Sequence, residues 1–155
     1  MFKQEVLIKK VLPTKVIESF HDKDFVSFLI KFQPVKIVVW DGIKNGKLAE
    51  FKFWFFGWKK MNVIHKNYIL KTNHLSFEDH GVSLPFGLKN WRHRHIIQKV
   101  NNGTLITDLV SFEGNSINNI FIKPIMLFPI AIRRITYKIW FYYFNKTDRK
   151  LDGEK

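Results

Sequence analysis

Cysteine is absent from this 155-residue chain. That excludes a disulfide framework and any thiolate nucleophile, and it suits a cytoplasmic protein, the location we expect. Acidic side chains are scarce, 13 Asp and Glu against 26 Lys and Arg. No carboxylate-rich cluster, no HExxH pair and no serine in a strand–turn–helix elbow is present, so the usual zinc-protease and serine-hydrolase machinery is excluded. Uninterrupted apolar runs are missing too. The most apolar region, residues 117–143, is broken by Lys123, Pro124, Pro129, Arg133 and Arg134. It never reaches the ~18 uncharged residues that a spanning helix needs. The first residues alternate like a strand and lack the apolar block and cleavage site of a secretory leader. There are no internal repeats and no linker. A single domain over residues 1–147 is expected, followed by a charged tail over 148–155.

What the chain does have is positive charge and aromatic rings. The net charge is +13 and the pI about 10.0, which would attract nucleic acid or an anionic membrane surface. The lysines and arginines are scattered, with no dense patch. The chain is also rich in Lys, Asn, Ile and Phe, all with A/T-rich codons, and compositional bias explains the charge without nucleic acid as a partner. Aromatics make up 16% of residues, with 16 Phe and 5 Trp. That is more than a core of this size needs, and it suits a cavity wall. Basic and aromatic residues alternating near the end leave peripheral membrane contact open.

The periodicity gives an element order. Residues 2–10 alternate, with Phe2, Gln4, Val6 and Ile8 on one side, and read as a half-buried strand. A short helix over 14–21 follows. Asp22 is placed to cap a second helix, Lys23 to Ile30. Residues 35–113 then read as an antiparallel meander. Its strands are 35–40, an aromatic 48–58 that Gly57 interrupts as a bulge or a sharp reversal, 60–72, 74–79 and a hairpin over 90–113. Beyond Pro129 a helical period runs through Ile130, Ile135, Ile139, Trp140 and Tyr143. This is an α+β chain: a curved antiparallel sheet, two short helices and a long C-terminal helix covering the concave face.

The hairpin holds the chemistry. Alternation places Trp91, His93, His95 and Ile97 on one face of its first strand. Ile106, Asp108, Val110 and Phe112 share a face of the second. A two-residue turn, at Asn101-Asn102 or at Asn102-Gly103, makes the two faces coincide and brings Asp108 near His93 or His95. A carboxylate there raises the imidazole pKa and fixes its tautomer. Such a group can recognise a ligand, act as a general acid or base, or simply satisfy itself as a cross-strand pair. His93 and His95 at i, i+2 can share a metal ion, with His65, His74 and His80 on the same meander. Without a recognised metal motif no metal or cofactor is expected.

Several separated residues agree with one family pattern: Phe77-Glu78-Asp79, Pro85-Phe86, Trp91-Arg92-His93-Arg94-His95, Gly103-Thr104 and Asp108-Leu109-Val110-Ser111-Phe112. Together with the element order they resemble the START-like superfamily, the SRPBCC or Bet v 1-like helix-grip group that includes polyketide cyclase/dehydrase-like relatives. The Glu113-Gly114-Asn115-Ser116 run departs from the Pro and Gly that the group often carries before its last helix. The resemblance implies a deep apolar cavity between sheet and helix, holding a lipid-, quinone- or polyketide-like molecule. It transfers no catalytic residue. The expected activity is therefore binding of a hydrophobic small molecule, not catalysis. Trp91, His93, His95 and Asp108 would supply polar contacts, and Phe53, Phe112 and Trp140 would form walls. The alternatives are a cyclase/dehydratase-type enzyme using the cavity His and Asp, and a basic module for nucleic acid or membrane surfaces.

Overall fold

A computed structural model describes residues 1–114 and 116–144. The end of the expected domain at 147 and the tail over 148–155 lie outside the described residues. The element order is β1 (Phe2–Lys9), α1 (Pro13–Phe20), α2 (Lys23–Ile30), β2 (Val35–Trp40), β3 (Leu48–Trp54), β4 (Trp58–Lys71), β5 (His74–Ser83), β6 (Asn90–Val100), β7 (Gly103–Glu113), α3 (Ser116–Ala131) and α4 (Arg133–Tyr143). Seven strands form one antiparallel sheet in the order β1-β7-β6-β5-β4-β3-β2. Strands β2 to β7 are a simple meander. The α1–α2 pair carries the chain from β1 at one edge to β2 at the other.

Local sequence explains these elements. Pro13 opens α1, where its missing N–H is no loss. The Asp22 carboxylate accepts from the Asp24 N–H and caps α2. Asn101 and Asn102 form the two-residue turn between β6 and β7, because Val100 pairs with Gly103. Irregular pairing at Ile37/Val39, Asn62/Val63 and Lys66/Ile69 adds local bend.

The interruption at Gly57 is the sharp reversal and not the bulge: the chain turns back at Phe55-Phe56-Gly57, and Trp54 pairs with Trp58, so residues 48–58 belong to two strands. Gly57, at φ +117°, and Phe56, at φ +46°, supply the left-handed backbone for that reversal. The C-terminal helix also starts earlier than Pro129 and comes in two pieces, parted at Ile132. Pro124 and Pro129 lie inside α3, where each removes a backbone donor and weakens the ladder. Gln4 of β1 donates from Nε2 to the Ile130 carbonyl at 2.9 Å beside the break.

Two apolar clusters fill the concave side. One joins Val6, Ile8, Ile97 and Ile106 to Phe20, Phe25, Tyr137 and Phe141 of the helices. The other joins Met61, Val63, Trp91 and Val110 to Ile122, Met126 and Ile130 of α3. Along β6 the inward residues run Trp91, His93, His95, Ile97; along β7 they run Val110, Asp108, Ile106. The ionisable residues therefore fall between the two clusters.

The convex face carries its own polar cluster. Glu78 accepts two bonds from Arg92, at 2.7 and 2.9 Å, and contacts His80 and Asn67. The Arg92 hydrogen bonds hold the Glu78 carboxyl down at about 2.

Two outcomes follow for stability. A depressed carboxyl stabilises the fold above its unfolded pKa and loses that contribution as pH falls from about 4.5 towards 2. Urea melts of Glu78→Gln should thus show a shallower loss of stability over that window than the parent protein; an identical slope would refute the assignment. A methyl group on Gly103 (φ +140°) would collide with the Ile8 carbonyl oxygen. Gly103→Ala should cost about 2 kcal/mol or more in chemical denaturation, and a cost near zero would contradict this turn geometry.

Candidate functional site

Antiparallel register builds the site. His95 stands opposite Asp108 across β6 and β7. Across β5 and β6, Asp79 stands opposite His93 and Phe77 opposite His95. Asp79 in turn pairs with His65 on β4. Four adjacent strands thus deliver His65, Asp79, His93, His95 and Asp108 to one patch of the concave face, and α4 adds Arg133 and Tyr137 from above.

The contacts are tight. His93 Nε2 lies 2.8 Å from Asp108 Oδ1 and its Nδ1 lies 3.6 Å from Asp79 Oδ2. His95 makes the same double approach: Nε2 is 3.1 Å from Asp79 Oδ2 and Nδ1 is 3.1 Å from Asp108 Oδ1. The two rings are 3.8 Å apart at their centroids. Tyr137 donates its hydroxyl to Asp108 Oδ2 at 3.3 Å, and Arg133 Nη1 comes within 3.8 Å of Oδ1. His65 Nε2 lies 3.2 Å from Asp79 Oδ1, while its Nδ1–H donates to the Lys47 carbonyl at 3.0 Å. Asp108 is fully buried and the two hairpin histidines nearly so.

Burial works against every charge here, and neighbours decide which survive. Burial alone would raise both carboxyls. The His95 charge and contacts with His65 and His95 outweigh it at Asp79, and hydrogen bonds from His93 and His95 outweigh it at Asp108, so both stay well below the usual carboxylate range. Burial and the charge of His95 push His93 down to about 4, which leaves it neutral. His95 goes the other way: burial opposes its charge, but Asp79 and Asp108 prevail and raise it. Arg133 is likewise raised by Tyr137 and the two carboxylates against burial. Burial, then Asp108, raises the Tyr137 phenol and keeps it a donor.

The site faces a chamber of about 50 Å³ bounded by Asp79, His93, Arg133, Trp91, Phe53 and Met126 among others. A groove of about 330 Å³ lies beyond it, lined by Phe53, Trp54, Phe55, Pro124, Phe128 and neighbouring residues. Val35, Phe53 and Pro129 belong to both walls. The deep cavity expected between sheet and helix is thus a small polar-floored chamber behind an apolar groove, because Met126, Ile130 and Tyr137 fill the centre.

Of the residues singled out by sequence, His93, His95 and Asp108 come together at the centre. Trp91 and Phe53 line the chamber, and Phe112 stacks on Trp91 at 5.8 Å. Trp140 does not join them. It packs on Phe25 and Phe28 of α2 and points its indole N–H at Ser19. Sequence reasoning missed Asp79, Arg133 and Tyr137 as members. Asp79 was within reach, since it shares strand parity with His93; Arg133 and Tyr137 carried only a helical period.

No family model matches the sequence, and no curated protein matches it. Solved structures match in shape. A nucleoside-diphosphate sugar epimerase from Corynebacterium glutamicum gives a TM-score of 0.72 at 20% identity over 96% of this chain, which spans 31% of the epimerase. Norcoclaurine synthase from Thalictrum flavum, in complex with dopamine and hydroxybenzaldehyde, gives 0.53 at 13% identity, covering 91% of this chain and 85% of that one. Major latex-like protein 151 from Panax ginseng gives 0.50 at 11% identity, covering 88% and 97%. The fold is the helix grip of Bet v 1-like proteins, as the motif resemblance implied. Among the described residues no helix is long and apolar enough to cross a membrane.

Removing the central acceptor should be costly. Asp108→Ala strands two imidazoles, a guanidinium and a phenol, and should lose about 3–5 kcal/mol in urea denaturation. Tyr137→Phe removes one neutral bond and should lose about 1 kcal/mol. Equal losses for the two variants would contradict the central place of Asp108.

Proposed function

We propose that this protein binds a small molecule with an apolar body and a polar head, and that it does so without turning it over. The body lies in the groove between the β3 end and α3, and the head enters the chamber at Asp79, His93 and Arg133. An apolar groove that shares the walls Val35, Phe53 and Pro129 with a chamber floored by three ionisable residues carries this reading. The groove volume falls in the range of ligand sites, roughly 300–1,000 Å³. The inner chamber is too small for a whole ligand but has room for a head group or a few waters. Arg133 Nε, buried and without a hydrogen-bond partner among the described residues, seeks an acceptor such as a carbonyl or hydroxyl oxygen.

A lipid-, quinone- or polyketide-like molecule has this division of character, and the aromatic ligands of the norcoclaurine synthase complex occupy a protein of the same fold. Binding is favoured over a cyclase or dehydratase reaction because each hairpin imidazole has a carboxylate at both of its nitrogens, so neither turns a nitrogen to the chamber alone. A cytoplasmic setting agrees with the lack of cysteine. One observation supports contact with a membrane surface as the source of the ligand. The groove mouth exposes Trp54, Phe55 and Phe128, and beside it Lys36 sits 4.3 Å over the exposed Trp58 ring.

The test uses anilinonaphthalene sulfonate as an apolar reporter and native mass spectrometry of the purified protein for a co-purifying molecule. One equivalent should bind, and Phe128→Glu, at an exposed groove position, should weaken it at least roughly tenfold with unchanged melting temperature. A folded parent protein that takes up no reporter and carries no molecule would overturn the proposal.

A further inference from the structure

The two hairpin imidazoles are arranged alike. Each turns one nitrogen to Asp108 and the other to Asp79: His93 through Nε2 (2.8 Å) and Nδ1 (3.6 Å), His95 through Nδ1 (3.1 Å) and Nε2 (3.1 Å). Asp108 can only accept, so the His93 proton sits on Nε2 and its Nδ1 is a bare donor atom aimed at Asp79. An imidazole held by a carboxylate on its far side, with the near nitrogen free, is the arrangement found around bound metal ions.

The near atoms converge. Ligating atoms of Asp79, His93 and His95 all lie within 4.8 Å of one another. Ligands about 2.0–2.2 Å from a tetrahedral ion stand roughly 3.3 Å apart, close to the 3.1 and 3.6 Å separations seen at Asp79 Oδ2. A second feature points the same way. Asp79 Oδ1 is buried and makes no hydrogen bond among the described residues, although His65 Nε2 is only 3.2 Å away. His65 gives its Nδ1 proton to the Lys47 carbonyl, so its Nε2 lies beside Asp79 Oδ1 without a hydrogen bond between them. His95 serves Asp79 Oδ2, and Oδ1 keeps a place for a further positive group. Arg133 supplies it elsewhere, its nearest carboxylate contact being Asp108 Oδ1 at 3.8 Å.

We propose that Asp79, His93 and His95 bind a divalent transition-metal ion of the zinc type, with Asp108 orienting His93 through its hydrogen bond and lying 3.1 Å from His95 Nδ1, and with His65 beside the carboxylate. Two imidazoles and one carboxylate suit such an ion rather than calcium or magnesium. Because Asp79 and His93 also face the chamber, the ion has an open side towards the ligand groove. It would offer a Lewis-acidic partner to an oxygen-bearing head group. This inference stands independently of the small-molecule reading, since the ion can be bound with the groove vacant.

The experiment needs no organic ligand. Full-length protein is stripped with EDTA, dialysed free of chelator, and titrated with CoCl2 by visible absorption and with ZnCl2 by calorimetry. One equivalent of Co2+ should give d–d absorption, and ZnCl2 should raise the melting temperature. Asp79→Asn and His93→Gln should each weaken binding at least roughly tenfold, and Asp108→Asn by about 10–100-fold. A His74→Ala/His80→Ala control should leave binding unchanged. Stripped parent protein that stays folded and takes up neither ion would overturn the proposal, as would uptake that only the His74/His80 variant abolishes. Because that outcome is read on the parent protein, it does not depend on whether the buried variants fold. Anilinonaphthalene sulfonate uptake without metal uptake would refute the ion and leave the groove intact.

Discussion

Two carboxylates bracketing two imidazoles on the inner face of a curved sheet are the constraint on which the rest of this molecule turns. A buried carboxylate without partners would be protonated or would unfold the protein. Asp108 escapes that fate through His93, His95 and Tyr137, and Asp79 through His95 and His65. The carboxylates sit on β5 and β7, and their partners come from β4, β6 and α4. Electrostatic satisfaction therefore ties the sheet register to the placement of the last helix. Shifting β6 against β7 by one residue would turn the histidines outward and leave Asp108 alone.

The two apolar clusters can be understood from the same centre. Each is an ordinary core, with Ile8, Leu75, Ile97 and Ile106 fully buried in one and Ala49, Val63 and Val110 nearly or fully so in the other. Full burial of such side chains stabilises by roughly 1.5–3 kcal/mol for each large one. The polar layer between them does not add to that sum in proportion to its contacts, because ion pairs this deep roughly repay their own desolvation. It lies at the chamber floor, next to the groove.

Much of this was legible in the sequence. The alternation of Trp91, His93, His95 and Ile97 and of Ile106, Asp108 and Val110, joined by a two-residue turn, was enough to bring the His and Asp faces together. The Asp22 cap and the 35–40 strand were read at the observed residues. The break at Ile132 was not legible, because Pro129 can open a helix as easily as bend one. Trp140 was misplaced since an amphipathic period shows which face is inward but not which neighbour it meets; α2 takes that ring. Cavity size was the least accessible quantity, depending on how Met126, Ile130 and Tyr137 fill space across elements distant in the chain.

The hairpin imidazoles are locked between Asp79 and Asp108 beside the chamber. Nitrogen-15 NMR of the imidazole side chains, assigned through His93→Gln, tests this most directly. A neutral His93 in the Nε2–H tautomer near pH 7, protected from exchange with water, is the predicted spectrum. A His93 that averages between tautomers, or titrates like a free imidazole with a pKa near 6.5, would contradict the account.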